Sequence, residues 1–293
     1  EEEFAQSQVT MQNLKIKEQN EAAGAKGELS IRLPEGVTGD QIAVSNDYVT
    51  QTIRVEIPQA DRTYFDSYPV LGNSDYIDGL SYTRQGETGV IEVTTNKVYE
   101  LQTEYDTQNF YFNFLTPHEV YDKVVVIDAG HGGRAVGANK QGINEKDIDL
   151  AIVLKLKEIF DNSDQNIGVY YTRTDDSNPT FDQRVQLANK SDADLFISIH
   201  NNSTRSGRMS GTSGTQVMYD ETSEASRQFA QICLEEVTGR IGSRDKGLVE
   251  GDSIYIIRTS EVPVALIEVG FMTNKDELEK LNSDAYQRET AEG

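Results

Sequence analysis

Three residues able to do chemistry each close an apolar run. Val124-Val125-Val126-Ile127-Asp128-Ala129-Gly130 leads to His131, Asp194-Leu195-Phe196-Ile197-Ser198-Ile199 leads to His200, and Pro263-Val264-Ala265-Leu266-Ile267 leads to Glu268. β-Branched runs of this kind read as strands buried on both faces, and ligands of open α/β sheets collect at the carboxyl ends of their strands. A carboxylate in an apolar strand is costly unless it is paired or faces a polar site. Glu145, 14 residues after His131, opens the next helical pattern and is near enough to fold back over the strand end. Two neutral imidazoles and one carboxylate are a donor set for catalytic zinc, which keeps a fourth position for water. Such a metal lowers the pKa of its water toward about 7 and polarises a carbonyl. A further carboxylate must then move protons, and Glu268 and Glu145 both qualify.

Simpler roles exist for each residue alone. Glu145 could complement a helix macrodipole, and His200-Asn201-Asn202 could form a hydrogen-bonded turn. Their joint placement at strand ends favours the metal. Asp128 reads as a brace for the glycine turn or for a ligating imidazole. A nucleophilic mechanism is disfavoured, because Cys233 lies inside a helical pattern and no Gly-x-Ser-x-Gly turn is present.

The elements that must position these residues occupy the second half. From Lys123 onward strands and helices alternate. The expected helices are one after Asn144, with Ile148, Ile152, Leu156 and Ile159 inward, one from Thr180 or Asp182, and one over 221–238 with Phe229, Ile232 and Val237 inward. Asn274 caps another. The expectation is a three-layer α/β/α domain over 123–293 with a mostly parallel sheet. Residues 28–116 instead show short alternating runs, such as Thr52-Ile53-Arg54-Val55-Glu56-Ile57 and Gly89-Val90-Ile91-Glu92-Val93-Thr94, separated by turns such as Gln85-Gly86-Glu87 and without a useful helical period. They predict a small all-β, sandwich-like domain with a binding or positioning role, in which Tyr64, Tyr68 and Tyr76 pack or meet sugar rings. Residues 1–27 read as a polar lead-in and 117–122, with His118, as a linker.

The chain of 293 residues carries a formal net charge of −22. Acidity is spread over both halves, with 20 acidic and 8 basic residues before position 121 and 29 and 19 after it. This excludes a phosphate-neutralising nucleic-acid surface. No apolar run is long enough to span a membrane. A single cysteine excludes an internal disulfide. The opening Glu1-Glu2-Glu3, without an initiator Met, reads as a product from which a targeting segment has been trimmed.

Six ordered motifs carry a resemblance: Ile127-Asp128-Ala129-Gly130-His131-Gly132-Gly133; Glu145; Tyr171-Thr172-Arg173; Arg184-Val185-Gln186-Leu187-Ala188-Asn189; Ser198-Ile199-His200-Asn201-Asn202; and Ile267-Glu268-Val269-Gly270-Phe271-Met272-Thr273-Asn274. Together they resemble the zinc-dependent N-acetylmuramoyl-L-alanine amidases of the Amidase_3 type, over residues 123–293. The resemblance implies one Zn2+ on His131, Glu145 and His200, with Glu268 as general base and then acid. Asp128, Arg184, Asn201 and Asn202 become supporting or substrate-binding residues. The implied substrate is peptidoglycan, cut between N-acetylmuramic acid and L-Ala by a secreted or wall-associated protein. A zinc endopeptidase or carboxypeptidase, or a non-catalytic wall-binding regulator, are the competing expectations, and a cell-division or activator protein is a conceivable partner. The β-domain is similar in position and strand content to AMIN cell-wall-targeting domains. Some members of the family carry a helical insertion that occludes the zinc; here Asp220-Glu221-Thr222-Ser223 leads straight into a helix, so an open site is expected.

Overall fold

The computed structural model describes residues 11–18 and 27–293. Its compact units divide between Val120 and Tyr121.

The first unit holds two five-stranded sheets. In spatial order they are Gln12–Asn13, Ile77–Gln85, Thr88–Thr95, Thr52–Pro58 and Ala43–Asp47, and then Lys17–Glu18, Leu71–Gly72, Leu29–Arg32, Asn109–Leu115 and Glu100–Tyr105. Alternation drives the arrangement: Ile53, Val55 and Ile57 point inward from one sheet, and Phe110, Phe112 and Phe114 from the other, into a single core. Two expectations need correcting. Part of the lead-in is structural, since Gln12–Asn13 and Lys17–Glu18 each extend a sheet; the rest of the lead-in, 1–10 and 19–26, lies outside the described residues. A short helix, Arg62–Ser67, also interrupts the strands, capped by the Asp61 carboxylate on the Tyr64 amide.

The second unit is built on one six-stranded sheet. Its strands are β1 (Lys123–Ala129), β2 (Ile167–Tyr171), β3 (Leu195–Asn202), β4 (Thr215–Tyr219), β5 (Asp245–Glu250) and β6 (Val264–Phe271), in spatial order β2-β1-β3-β6-β4-β5. All neighbours run parallel except β4 and β6. Strand β5 was not expected: Asp245-Lys246-Gly247-Leu248-Val249-Glu250 has too few apolar residues to stand out. The helices are α1 (Glu145–Asp161), α2 (Phe181–Lys190), α3 (Glu224–Ile241), α4 (Tyr255–Arg258), α5 (Lys275–Leu281) and α6 (Asp284–Glu292).

Period-two alternation sorts the strand residues between the two faces. Val125, Ile127, Ala129, Ile199, Ala265, Ile267 and Val269 join the core made with α1, α3, α5 and α6. The alternate positions, including Asp128, Ser198, His200, Leu266 and Glu268, face the side where α2 meets β1 and α4 meets β6. Two expected core residues are instead at the surface: Ile159 is 36% and Ile232 58% exposed. Each sits at the edge of its helix's apolar stripe, where helical spacing alone does not separate rim from core. Helix α3 starts at Glu224 rather than 221, because Ser223 caps it through the Ser226 amide.

Candidate metal centre

Strand β1 ends in a turn that few sequences could make. His131, Gly132 and Gly133 have φ of 58°, 133° and 51°, a left-handed stretch that costs a non-glycine residue energy. A side chain at Gly132 would strike the Ser177 carbonyl, 2.1 Å from its Cβ position. The turn is clamped from outside. Arg173, 3% exposed, donates from Nε to the Ala129 carbonyl at 2.9 Å and from Nη2 to the Gly130 carbonyl at 2.6 Å. Arg184, 2% exposed, donates to the Ala129 and His131 carbonyls and to Asp128 Oδ1 at 2.5 Å.

Asp128 is wholly enclosed by donors. Thr172 Oγ1 and Ser198 Oγ each donate to it at 2.6 Å, beside Arg184. Burial alone would raise its carboxyl, but these partners outweigh it and hold it below the ordinary range. Asp128 therefore supports the turn through Arg184, and its hydrogen bonds reach neither imidazole.

The donor atoms converge at Glu145. As the first residue of α1, Glu145 is 5% exposed. Its Oε1 lies 3.0 Å from His131 Nε2 and 3.1 Å from His200 Nδ1, and accepts the Asn201 amide at 3.1 Å. Its other oxygen accepts the Ala138 amide at 2.7 Å. Burial would raise the Glu145 carboxyl, yet the hydrogen bonds and charge of both imidazoles hold it well below the usual carboxylate range. Burial likewise opposes a charged His200, but the Glu145 hydrogen bond and the surrounding carboxylates push it up to about 9. Each partner thus holds the other's charge. Glycines leave the space: a Cβ on Gly130 would lie 2.5 Å from the His200 ring, and one on Gly137 2.5 Å from Glu145 Oε2.

Asp149, one turn along α1 from Glu145, was missed by sequence reasoning. Its carboxylate lies with His131, Glu145 and His200 in a cluster whose candidate ligand atoms are all within 4.8 Å of one another. Burial keeps its pKa raised well above the ordinary value, and Asn201 Nδ2 donates to its Oδ1 at 2.7 Å. The i, i+4 spacing of Glu145 and Asp149 on one helix face was the available signal. Asn202 turns elsewhere, donating to Gln216 Oε1 at 3.0 Å beyond a register shift in β3.

Glu268 stands apart from this cluster. It lines a cleft of about 380 Å³ together with Asp128, His131, Arg184 and His200, closed by the apolar side chains of Phe181, Ile254, Tyr255, Ile256 and Leu266. Its Oε2 is buried without a hydrogen-bond partner, and burial pushes its carboxyl up to about 7. Strand β4 passes through residues 220–223 directly into α3, with no inserted segment.

The Amidase_3 family, described as N-acetylmuramoyl-L-alanine amidase, matches residues 125–293. The uncharacterized protein YqiI of Bacillus subtilis (strain 168) is 38% identical over 176 residues, covering 58% of this chain and 80% of that protein. The N-acetylmuramoyl-L-alanine amidase CwlM of Bacillus licheniformis is 32% identical over 169 residues, and the match spans 64% of its length. The crystal structure of N-acetylmuramoyl-L-alanine amidase from Clostridium difficile 630 aligns with a TM-score of 0.55 at 34% identity, covering 58% of this chain and 91% of that one. The family match falls entirely within the unit that carries the His131–Glu145–His200 cluster, and the chain belongs to the Amidase_3 family of amide-hydrolysing enzymes.

Proposed function

We propose that the second unit is a zinc-dependent N-acetylmuramoyl-L-alanine amidase, which hydrolyses the amide between the lactyl group of N-acetylmuramic acid and L-Ala of the peptidoglycan stem. The observation that carries this reading is the meeting of His131 Nε2, His200 Nδ1 and Glu145 Oε1 beside a buried carboxylate, Glu268, with an unpartnered oxygen in the same cleft. Two imidazoles and one carboxylate fit zinc. His131, Glu145 and His200 would hold the ion, which when bound supplies Lewis-acid polarisation of the amide carbonyl and activation of water.

The remaining work falls to this chain's own residues. With its pKa pushed up to about 7, Glu268 can exchange protons near neutral pH. Its carboxylate accepts a proton from the attacking water and returns one to the departing L-Ala nitrogen. Asn201 and the Ala138 amide orient Glu145, while Asp128, Arg173 and Arg184 fix the turn that presents His131. Support of this kind is what keeps a ligand set in place.

The first unit, two sheets around one core, suits an AMIN-like role in docking the enzyme on peptidoglycan. That role places its action outside the cytoplasmic membrane; among the described residues no helix is long and apolar enough to cross one. The test is digestion of purified sacculi by the full chain. New L-Ala amino termini without new reducing sugar ends support the amidase reading. New amines on other stem residues would instead indicate an endopeptidase or carboxypeptidase, and no products at all a silent binder.

A further inference from the structure

Part of the cleft lining is used neither by the donor cluster nor by Glu268. Phe181 and Tyr255 both line it, yet Phe181 is 67% and Tyr255 37% exposed. Their ring centroids are 6.4 Å apart, with planes inclined by 31°. Large apolar rings left exposed along the lining of a cleft mark a surface that gains from being covered.

This lip is rigidly tied to the donor cluster. Thr180 and Gln183 form a reciprocal cap around the first turn of α2, which fixes Phe181 as its first residue. The Tyr255 hydroxyl donates to Asp182 Oδ1 at 3.3 Å, linking α4 to the same turn. Arg258 lies over the Tyr255 ring at 5.9 Å. Arg184, three residues along α2 from Phe181, holds the His131 carbonyl. Any group seated on the two rings is therefore held at a set place relative to His131.

We propose that Phe181 and Tyr255 form a sugar-binding lip that seats the pyranose ring of the muramyl residue beside the scissile amide. The inference rests on the amidase reading above and adds the source of its selectivity for glycan-borne amides. A hexose presents a face of C–H bonds that lies flat on an aromatic ring while its hydroxyls remain in water. The L-Ala methyl is far too small to cover two rings, and a lip this exposed suits a polymer crossing the surface.

The test compares two soluble substrates sharing the same scissile amide, a disaccharide tetrapeptide and a D-lactoyl tetrapeptide that lacks the sugar, by L-Ala amine release from the full chain loaded with zinc. The parent should prefer the disaccharide substrate in kcat/KM. Phe181→Ala and Tyr255→Ala should each shrink that preference about tenfold, the effect of losing partial burial of one large apolar side chain, with the loss in KM rather than kcat. Phe181→Trp should keep the preference near the parent level. Ile232→Ala, an exposed residue of α3, should leave both substrates unaffected. Equal losses on both substrates, or an unchanged preference, would overturn the lip while leaving the amidase reading intact. A parent that releases no L-Ala amine from either substrate or from sacculi would overturn both.

Discussion

His200 and Glu268 are register partners on the adjacent parallel strands β3 and β6. Side chains of such partners leave the sheet on the same face, so an imidazole and a carboxylate from positions 68 residues apart share one cleft. A slip of one residue would turn Glu268 into the opposite core.

The proposed roles at this pair, proton transfer by Glu268 and metal holding by His200, can be told apart by mutation. Glu268→Gln keeps the shape and the strand, so bound zinc should stay at the parent level while amide hydrolysis falls by about 10²–10⁴-fold. Metal analysis and amine release on the same preparation check it. Loss of zinc together with activity would make Glu268 a ligand.

The donor atoms predict the converse for their own residues. His131→Ala or Glu145→Ala should lower zinc content and activity together, and chelation of the parent should abolish hydrolysis and lower its melting temperature, because a ligand bound only to the folded state stabilises it. Readdition of zinc should restore the parent and leave the variants inactive.

Asp128 and Arg184 are a buried pair, with side chains 1% and 3% exposed. Asp128→Asn leaves a buried guanidinium charge without its partner and should cost about 3–5 kcal/mol by denaturant unfolding. The acid response follows from the sign of the shift. Asp128 titrates below its usual 3.8 when folded, so its contribution is fully present above about pH 4 and is lost as pH falls through the lower folded value. The parent should therefore lose stability below pH 4 more steeply than the variant.

Gly130 carries a steric prediction. A methyl there would meet the His200 ring at 2.5 to 2.7 Å, and that ring is already held by Glu145. Gly130→Ala should weaken zinc binding about 10–100-fold, as displaced support around a metal does, with only a small change in the circular dichroism of the fold.

Much of this was legible in the sequence because strand burial and strand ends are local signals. The runs before His131, His200 and Glu268 are apolar enough to announce central strands, and the edge that they share follows from parallel pairing. Glu145 was legible as a helix start, and its inward reach came from proximity to His131. The parts that escaped depend on tertiary contact. Asp149 is one acid among many until Asn201 bonds to it, and Arg173, though part of the Tyr171-Thr172-Arg173 motif, shows no role until the Ala129 and Gly130 carbonyls are found beneath it. Strand β5 is marginal in composition and exists because β4 offers it a parallel partner. The short pairings of Gln12–Asn13 and Lys17–Glu18 have no apolar pattern to give them away; they add to sheet edges already formed.

Anomalous diffraction at the zinc edge, from crystals of the full chain grown with zinc, shows directly whether His131, Glu145 and His200 hold the ion. One site per chain is expected, bonded to His131 Nε2, His200 Nδ1 and a Glu145 oxygen, with Glu268 unbonded beside it. A zinc ion ligated by Glu268, or none among these three residues, would contradict it.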